Sequence, residues 1–258
     1  MSKLRAKCPD CKTYTAVALG PCYECHTCGR EFNAGLVRVP RAWGADGDAM
    51  AEAARLPFPY PETAVVDEGT LGEQSLVLAT ELPDRPLVVG GCCCAHIGAV
   101  EALAARHGRI AVVWLDAHGD LNTPATSQSG NLWGMPLRMV IDGGTVDAQD
   151  VALVGARNLD PPELEFIEQS GLHNGEDAVE RAVDEVSGTY VAFDVDVLAP
   201  GELSMHMEEP GGPSLAEIEQ VLALVRERSL VLGVGLSGMS PDPANVEPLA
   251  RSLAALGL

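Results

Sequence analysis

Arg109-Ile-Ala-Val-Val-Trp-Leu-Asp116-Ala-His118-Gly-Asp120-Leu-Asn122-Thr-Pro124 is the stretch on which the fold turns. Residues 110–115 are apolar and rich in branched side chains, the pattern of a strand buried on both faces. Polarity then arrives on every second residue, at Asp116, His118 and Asp120. Alternate side chains of an extended chain point the same way, so two carboxylates and an imidazole converge where a buried strand ends. In open α/β sheets that carboxyl end is where ligands bind. Like charges repel and buried charge needs a partner, so a divalent cation is the natural companion.

A second stretch answers it. Thr189-Tyr-Val-Ala-Phe-Asp194-Val-Asp196-Val-Leu-Ala-Pro200 is again a buried apolar run, ending in two carboxylates at i, i+2. Four carboxylates and one imidazole suit a pair of hard or borderline ions such as Mn²⁺ better than a lone structural Zn²⁺. A hydrogen-bonded cluster without metal is the competing reading.

Around these two stretches the chain alternates. Strands are predicted at 87–89, 110–115, 151–155, 189–195 and 230–236. Helices are predicted from about 94 to 107, within 116–141, from Pro161 to about 170, and at 175–187, 214–228 and 243–256. Strands alternating with helices predict a parallel sheet covered on both faces, a three-layer α/β domain. Every strand tip then falls on one edge, collecting Cys92–Cys94 with the two acidic clusters. Residues 41–85, with Pro40, Pro57, Pro59 and Pro61 in or beside them, read as a linker and lead-in. They carry a short helix near 48–55, a short strand starting at Val65 and a helix over 69–82.

The first 40 residues read differently. Cys8-Pro-Asp-Cys11 and Cys25-His-Thr-Cys28 are two Cys-x-x-Cys knuckles, the spacing of a Cys₄ zinc ribbon. Cys22 offers a competing register, Cys22-x-x-Cys25, and paired disulfides are the alternative to zinc. So short a segment has little core, so the metal must supply much of its folding energy. The domains are therefore 1–40, a ribbon; 41–85, a lead-in; and 86–258, the α/β body.

The formal net charge is −20 over 258 residues. Such acidity disfavours nucleic acid and draws in a cationic substrate. Residues 1–41 run the other way, with seven Lys or Arg against three acids, a basic appendage on an acidic body. No apolar run approaches the roughly 18 residues of a membrane span, and no signal-peptide pattern opens the sequence, so the expectation is a soluble, cytoplasmic protein.

Asp116-Ala-His118-Gly-Asp120 with Asn122-Thr-Pro124, then Ser129-Gly-Asn-Leu-Trp133-Gly-Met-Pro136, then Phe193-Asp-Val-Asp196 resembles the ureohydrolases, which include arginases, agmatinases and formiminoglutamases. The motifs occur in matching order over residues 86–258, and several together are far more specific than one. The resemblance implies an arginase-type fold and hydrolysis of a linear amidine or guanidine C–N bond, giving urea and an amine. It implies two divalent ions about 3.5 Å apart, most often Mn²⁺, that make hydroxide available near neutral pH. Asp116 and Asp194 would bridge the ions, and His118 and Asp196 would complete one of them. Asp120 would bind the other and move the proton. Asn122 and Ser129 match positions that contact the substrate, although both also read as turn residues. A homo-oligomer and a small cationic guanidino substrate are implied as well.

The sequence departs from the family at several positions. Ureohydrolases usually have Gly-Gly-Asp-His-Ser where this chain has Gly90-Gly-Cys-Cys93-Cys94, and that histidine is a ligand. Cys93 reads as a thiolate ligand or as an inert buried residue, or His96 one turn on reaches back in its place. A thiolate would shift preference toward Fe²⁺, Co²⁺ or Zn²⁺. A branch acting on N-hydroxyarginine also carries Cys there. Trp133 stands at the family's proton-shuttling histidine and cannot shuttle protons; His206 or bulk water is the replacement. Ala192 and Ala199 replace polar residues that orient ligands. Pro210-Gly-Gly-Pro-Ser-Leu-Ala-Glu217 resembles the stretch whose glutamate grips the guanidinium, yet Ser214-x-x-Glu217 is equally a capping box. The alternatives are therefore an amidinohydrolase of N-hydroxyarginine or of another guanidino or formimino acid, and a non-catalytic binding protein on the same fold.

Overall fold

The computed structural model describes residues 5–258 apart from 7, 9, 12, 20, 21, 33, 34, 46 and 176. Lys3, Lys7 and Lys12 of the basic segment lie outside the described residues, as does the side chain of Cys22.

The first four strands, β1 (Arg5–Ala6), β2 (Ala16–Leu19), β3 (Cys22–Cys25) and β4 (Glu31–Phe32), form an antiparallel sheet in chain order. Its buried side chains are Cys8, Ala16, Tyr23, Cys25 and Phe32, with Tyr23 stacked on Phe32 at 5.2 Å. This is too little apolar surface to hold a sheet in water, as anticipated for a ribbon.

The remaining strands are β5 (Gly35–Val39), β6 (Glu62–Val65), β7 (Pro86–Gly90), β8 (Ala111–Leu115), β9 (Val151–Val154), β10 (His173–Asn174), β11 (Thr189–Asp194) and β12 (Val231–Ser237). They form one sheet in the order β10-β9-β8-β11-β12-β7-β5-β6, with every neighbouring pair parallel. The helices are α1 (Gly47–Ala51), α2 (Leu71–Glu81), α3 (Ala95–His107), α4 (Pro136–Asp142), α5 (Pro161–Ser170), α6 (Ala178–Ala182), α7 (Leu215–Arg228) and α8 (Val246–Ala255).

Alternation along the strands divides the core in two. Leu87, Val89, Val113, Leu115, Val191 and Phe193 face α6, α7, α8 and the single turn Ala53–Arg55. Val88, Val112, Trp114, Tyr190 and Ala192 face α1, α2, α3 and α4. Apolar burial on both faces explains the unbroken hydrophobic runs, each large side chain contributing roughly 1.5–3 kcal/mol.

The α/β body begins earlier than the sequence reading placed it. β5 comes from the segment assigned to the ribbon and β6 from the one assigned to the lead-in, yet both extend the main sheet beyond β7. Arg38 hid β5, because a charge interrupts its apolar run. The guanidinium is held by Glu62 at 2.7 Å and by the carbonyls of Ala54 and Leu56. β10, two residues long, was not foreseen.

One contact between helices makes a prediction. A Cβ on Gly98 of α3 would lie 2.5 Å from the Ser75 carbonyl oxygen and 2.8 Å from its Cα on α2. Backbone cannot rotate aside, so Gly98→Ala is expected to destabilise by about 2 kcal/mol despite alanine's better helix propensity. In a thermal melt that is a fall of roughly 4–8 °C; an unchanged melting temperature would show that the helices part freely.

Candidate metal centre

Register brings the acidic clusters together. β8 and β11 pair from Ala111↔Thr189 to Leu115↔Phe193, so Asp116 and Asp194 leave adjacent strands at the same level. β12 pairs Ser237 with Asp194. β7, next along, leads through Gly90-Gly91 to the three cysteines.

Backbone and side-chain donors hold each carboxylate. Asp116 Oδ1 accepts from the His118 amide at 2.7 Å and Oδ2 from the Trp114 indole at 3.1 Å. Asp194 Oδ1 accepts from the Asp196 amide at 3.0 Å and Oδ2 from the Ser237 hydroxyl at 2.9 Å. Asp196 Oδ1 accepts from the Ala117 amide at 3.0 Å. His118 Nδ1 lies 3.1 Å from Asp196 and 3.3 Å from Asp116, while its Nε2 lies 3.3 Å from Glu209 Oε1. Asp120 sits at φ 52°, a left-handed conformation that Asp tolerates better than most residues. Its buried Oδ2 has no hydrogen-bond partner among the described residues.

Cys93 points into this cluster. Its Sγ is 2.9 Å from Asp194 Oδ2, 3.3 Å from Ser237 Oγ and 3.8 Å from Asp116 Oδ2. His96 does not reach back, which removes that reading. Its Nδ1 is 3.0 Å from the Tyr190 hydroxyl and its Nε2 3.2 Å from Ser237 Oγ. Fully buried, it is pushed down to about 3 by desolvation and stays neutral.

The electrostatics call for a cation. Burial raises all four carboxylates: Asp116, Asp120 well above its usual range, Asp194 to about 7 and Asp196 to about 6. Desolvation would depress His118, but hydrogen bonds donated to Asp116 and Asp196, with their negative charge, outweigh it and hold the imidazole up at about 12. One imidazolium cannot balance four carboxylates and a thiol. The ligand atoms of Cys93, Asp116 and Asp120 come within 4.8 Å of one another, as do those of Asp116, His118 and Asp196. Two groups sharing Asp116, with an orphaned oxygen on Asp120, fit a pair of divalent ions.

A cavity of about 340 Å³ opens above the cluster. Asn122, Ser129, Trp133 and His206 line it. Asn158, Asp160 and Glu163 also line it, and the sequence reading passed over them. Asp160 accepts from the Asn122 amide at 2.9 Å and caps α5 in a capping box with Glu163. Asp160-Pro-Pro-Glu163 was a legible cap signal; nothing local tied it to the cavity. Trp133 packs over Gly44, where any Cβ would overlap the indole ring. The Leu132 amide bonds the Trp43 carbonyl at 2.9 Å, and the Ala45 amide bonds the Asn131 side chain at 2.9 Å.

Glu217 is a correction. It is exposed and does not line the cavity. Its Oε2 accepts from the Ser214 amide at 2.8 Å and hydroxyl at 2.7 Å, closing the capping box of α7. Glu217→Ala is expected to fray the first turn of α7, with a small fall in melting temperature, and to leave turnover unchanged. A hundredfold fall in kcat/KM would restore a substrate role.

Arg157, also missed, holds the loop that follows β11. Its guanidinium donates to the carbonyls of Gly155, Asp196, Val197, Leu198, Glu209 and Pro210, at 3.0–3.3 Å. Asp196 and Glu209, two of the three carboxylates that face His118, thereby have their backbone fixed by one side chain.

This architecture is that of solved ureohydrolases. The arginase of Bacillus subtilis superposes with a TM-score of 0.74 at 22% identity, over 86% of this chain and 97% of that one. The formimidoylglutamase of Bacillus subtilis subsp. subtilis str. 168 gives 0.71 at 17% identity, over 89% of each chain. Residues 64–256 match the arginase family, and the chain belongs to that family. An arginase of Staphylococcus aureus (strain COL) is 29% identical over 182 residues, 60% of this chain and 60% of the relative. The chain thus spans about 60% of the length of the first of the curated relatives it matches. Among the described residues no helix is long and apolar enough to cross a membrane.

Proposed function

We propose that this chain is a binuclear-metal amidinohydrolase that cleaves a C–N bond of a linear guanidine or amidine and releases an amine, together with urea from a guanidine or the amide from an amidine. The observation that carries the reading is the level pairing of Asp116 and Asp194, ringed by Cys93, His118, Asp120 and Asp196 on a cavity floor. Cys93, Asp116, Asp120 and Asp194 would hold one ion; Asp116, His118, Asp194 and Asp196 would hold the other. Bound there, the ions would polarise the substrate and lower the pKa of water.

The chain's own groups do the rest. Glu209 accepts a hydrogen bond from His118 Nε2, which leaves Nδ1 as the ligating nitrogen. Asp120 Oδ2, free of any other bond, is placed to take a proton from attacking water and return it to the leaving amine. His206 lines the cavity and supplies the proton exchange with solvent that Trp133 cannot. Asp160 and Glu163 add negative charge, which favours a cationic substrate. Asn122 and Ser129 fix its far end. Cys93 as a thiolate moves metal preference from Mn²⁺ toward Fe²⁺, Co²⁺ or Zn²⁺.

The test loads purified protein with each of these ions and measures product from arginine, agmatine, N-hydroxyarginine and formiminoglutamate. Urea from arginine or agmatine, or hydroxyurea from N-hydroxyarginine, with two ions per chain beyond any zinc in the N-terminal sheet, is the expected result. Formamide would move the substrate to the formimino class. Two bound ions and tight guanidine binding without any product would make the chain a binding protein.

A further inference from the structure

We propose that Cys8, Cys11, Cys25 and Cys28 hold one Zn²⁺, and that this ion locks the N-terminal sheet onto the strand ends remote from the candidate metal centre. The sulfurs of Cys8 and Cys28 are 3.5 Å apart, as are those of Cys11 and Cys25, and all four lie within 4.8 Å of one another. Four thiolates about 2.3 Å from a tetrahedral Zn²⁺ stand roughly 3.8 Å apart, so small shifts would seat the ion. None of the four is in a disulfide.

The surrounding backbone is arranged for sulfur as an acceptor. The Thr13 amide donates to Cys11, the Arg30 amide to Cys28, and the Thr27 and Cys28 amides to Cys25. The knuckle turns are closed by Cys8 N–H to the Thr13 carbonyl at 2.8 Å and by Gly29 N–H to the Cys25 carbonyl at 2.7 Å. Gly29, at φ 74°, takes the conformation that this second turn needs. Amides aimed at several clustered sulfurs favour thiolates, and clustered thiolates need a cation.

The lock follows from Tyr23. Its ring is buried against Phe32, and its hydroxyl accepts the Arg85 amide at 3.0 Å. The Arg85 carbonyl in turn accepts the Gly35 amide at 3.3 Å. Arg85 is therefore gripped from both sides just before β7 begins. Tyr14 OH reaches the Thr63 carbonyl of β6 at 3.5 Å, against the edge strand of the main sheet. β7 runs five residues from this pole before it turns into Cys92–Cys94, about 17 Å at strand rise. The N-terminal sheet thus acts on the frame and does not touch the substrate cavity.

Metal analysis of the full chain, paired with hydrogen exchange at the Arg85 amide, tests both halves. Wild type and Cys22→Ser are expected to carry one zinc that Cys25→Ser lacks, while other bound metal is unchanged. In Cys25→Ser, Arg85 exchange should quicken at least tenfold while Val113 and Phe193 stay protected. Tyr23→Phe, which preserves the ring stack, should keep zinc and still quicken Arg85. Equal zinc in wild type and Cys25→Ser would overturn the site. So would a zinc-free wild type four mass units light, which is two disulfides. Loss of zinc in Cys25→Ser with unchanged Arg85 exchange would overturn the lock.

Discussion

Asp194→Asn is expected to lower kcat/KM by at least about a thousandfold and to release the metal of the cavity floor, while any zinc in the N-terminal sheet stays bound. The substitution is nearly isosteric, and the donors from Asp196 and Ser237 remain in place. What disappears is a charge that, on the proposed function, both ion positions would share. Asp116→Asn should match it. The sign of the stability change is diagnostic. Asp194 is raised by burial from 3.8 to about 7, so the folded chain binds its proton more tightly than the unfolded chain does. Without metal, stability therefore falls as pH rises from about 4 to about 7, and the penalty is complete above that. In chelated protein at pH 8, Asp194→Asn should melt at a higher temperature than wild type; with metal the order should reverse. Activity and metal content that survive in both variants would sink the assignment.

The other large effect lies at Arg157, which does not line the cavity. Arg157→Ala removes a cation whose donors serve six backbone carbonyls between Gly155 and Pro210. Those oxygens are left without their charged partner, an expected loss of about 3 kcal/mol, or roughly 6–12 °C in melting temperature. Turnover should fall as well, because Asp196 and Glu209 lose their support beside His118. Arg157→Lys should recover only part of either loss, since an ammonium cannot present a planar five-donor fork. A melting temperature within 2 °C of wild type would mean that water replaces the guanidinium without cost.

The central strands and the acidic tips were legible because each signal was local. Residues 110–115 and 189–193 are apolar on both faces, and their polar groups begin abruptly at Asp116 and Asp194. Cys93 was legible as the departure at a known ligand position, and its sulfur does face the carboxylates. Glu217 misled because one short pattern served two readings; the local one, a cap, accounts for all the bonds it makes. β5 and β6 were obscured by Arg38 and by the prolines between them, whose partners lie across the crossover. Arg157, Glu209 and Ser237 act chiefly through contacts 39 or more residues away along the chain, together with neighbours that carry no signature. No window of sequence contains such information.

The segment read as a linker has a consequence for what the cavity admits. The backbone around Trp43 and Ala45 is stitched to Leu132 and Asn131, and Gly44 lies flat under the Trp133 ring. The doorway is thus made of two loops that cannot be resized separately. A bulkier residue at 44 would swing the indole, and a smaller one at 133 would leave a hole over Gly44. Widening this side of the cavity calls for paired substitutions, one on each side of the seam.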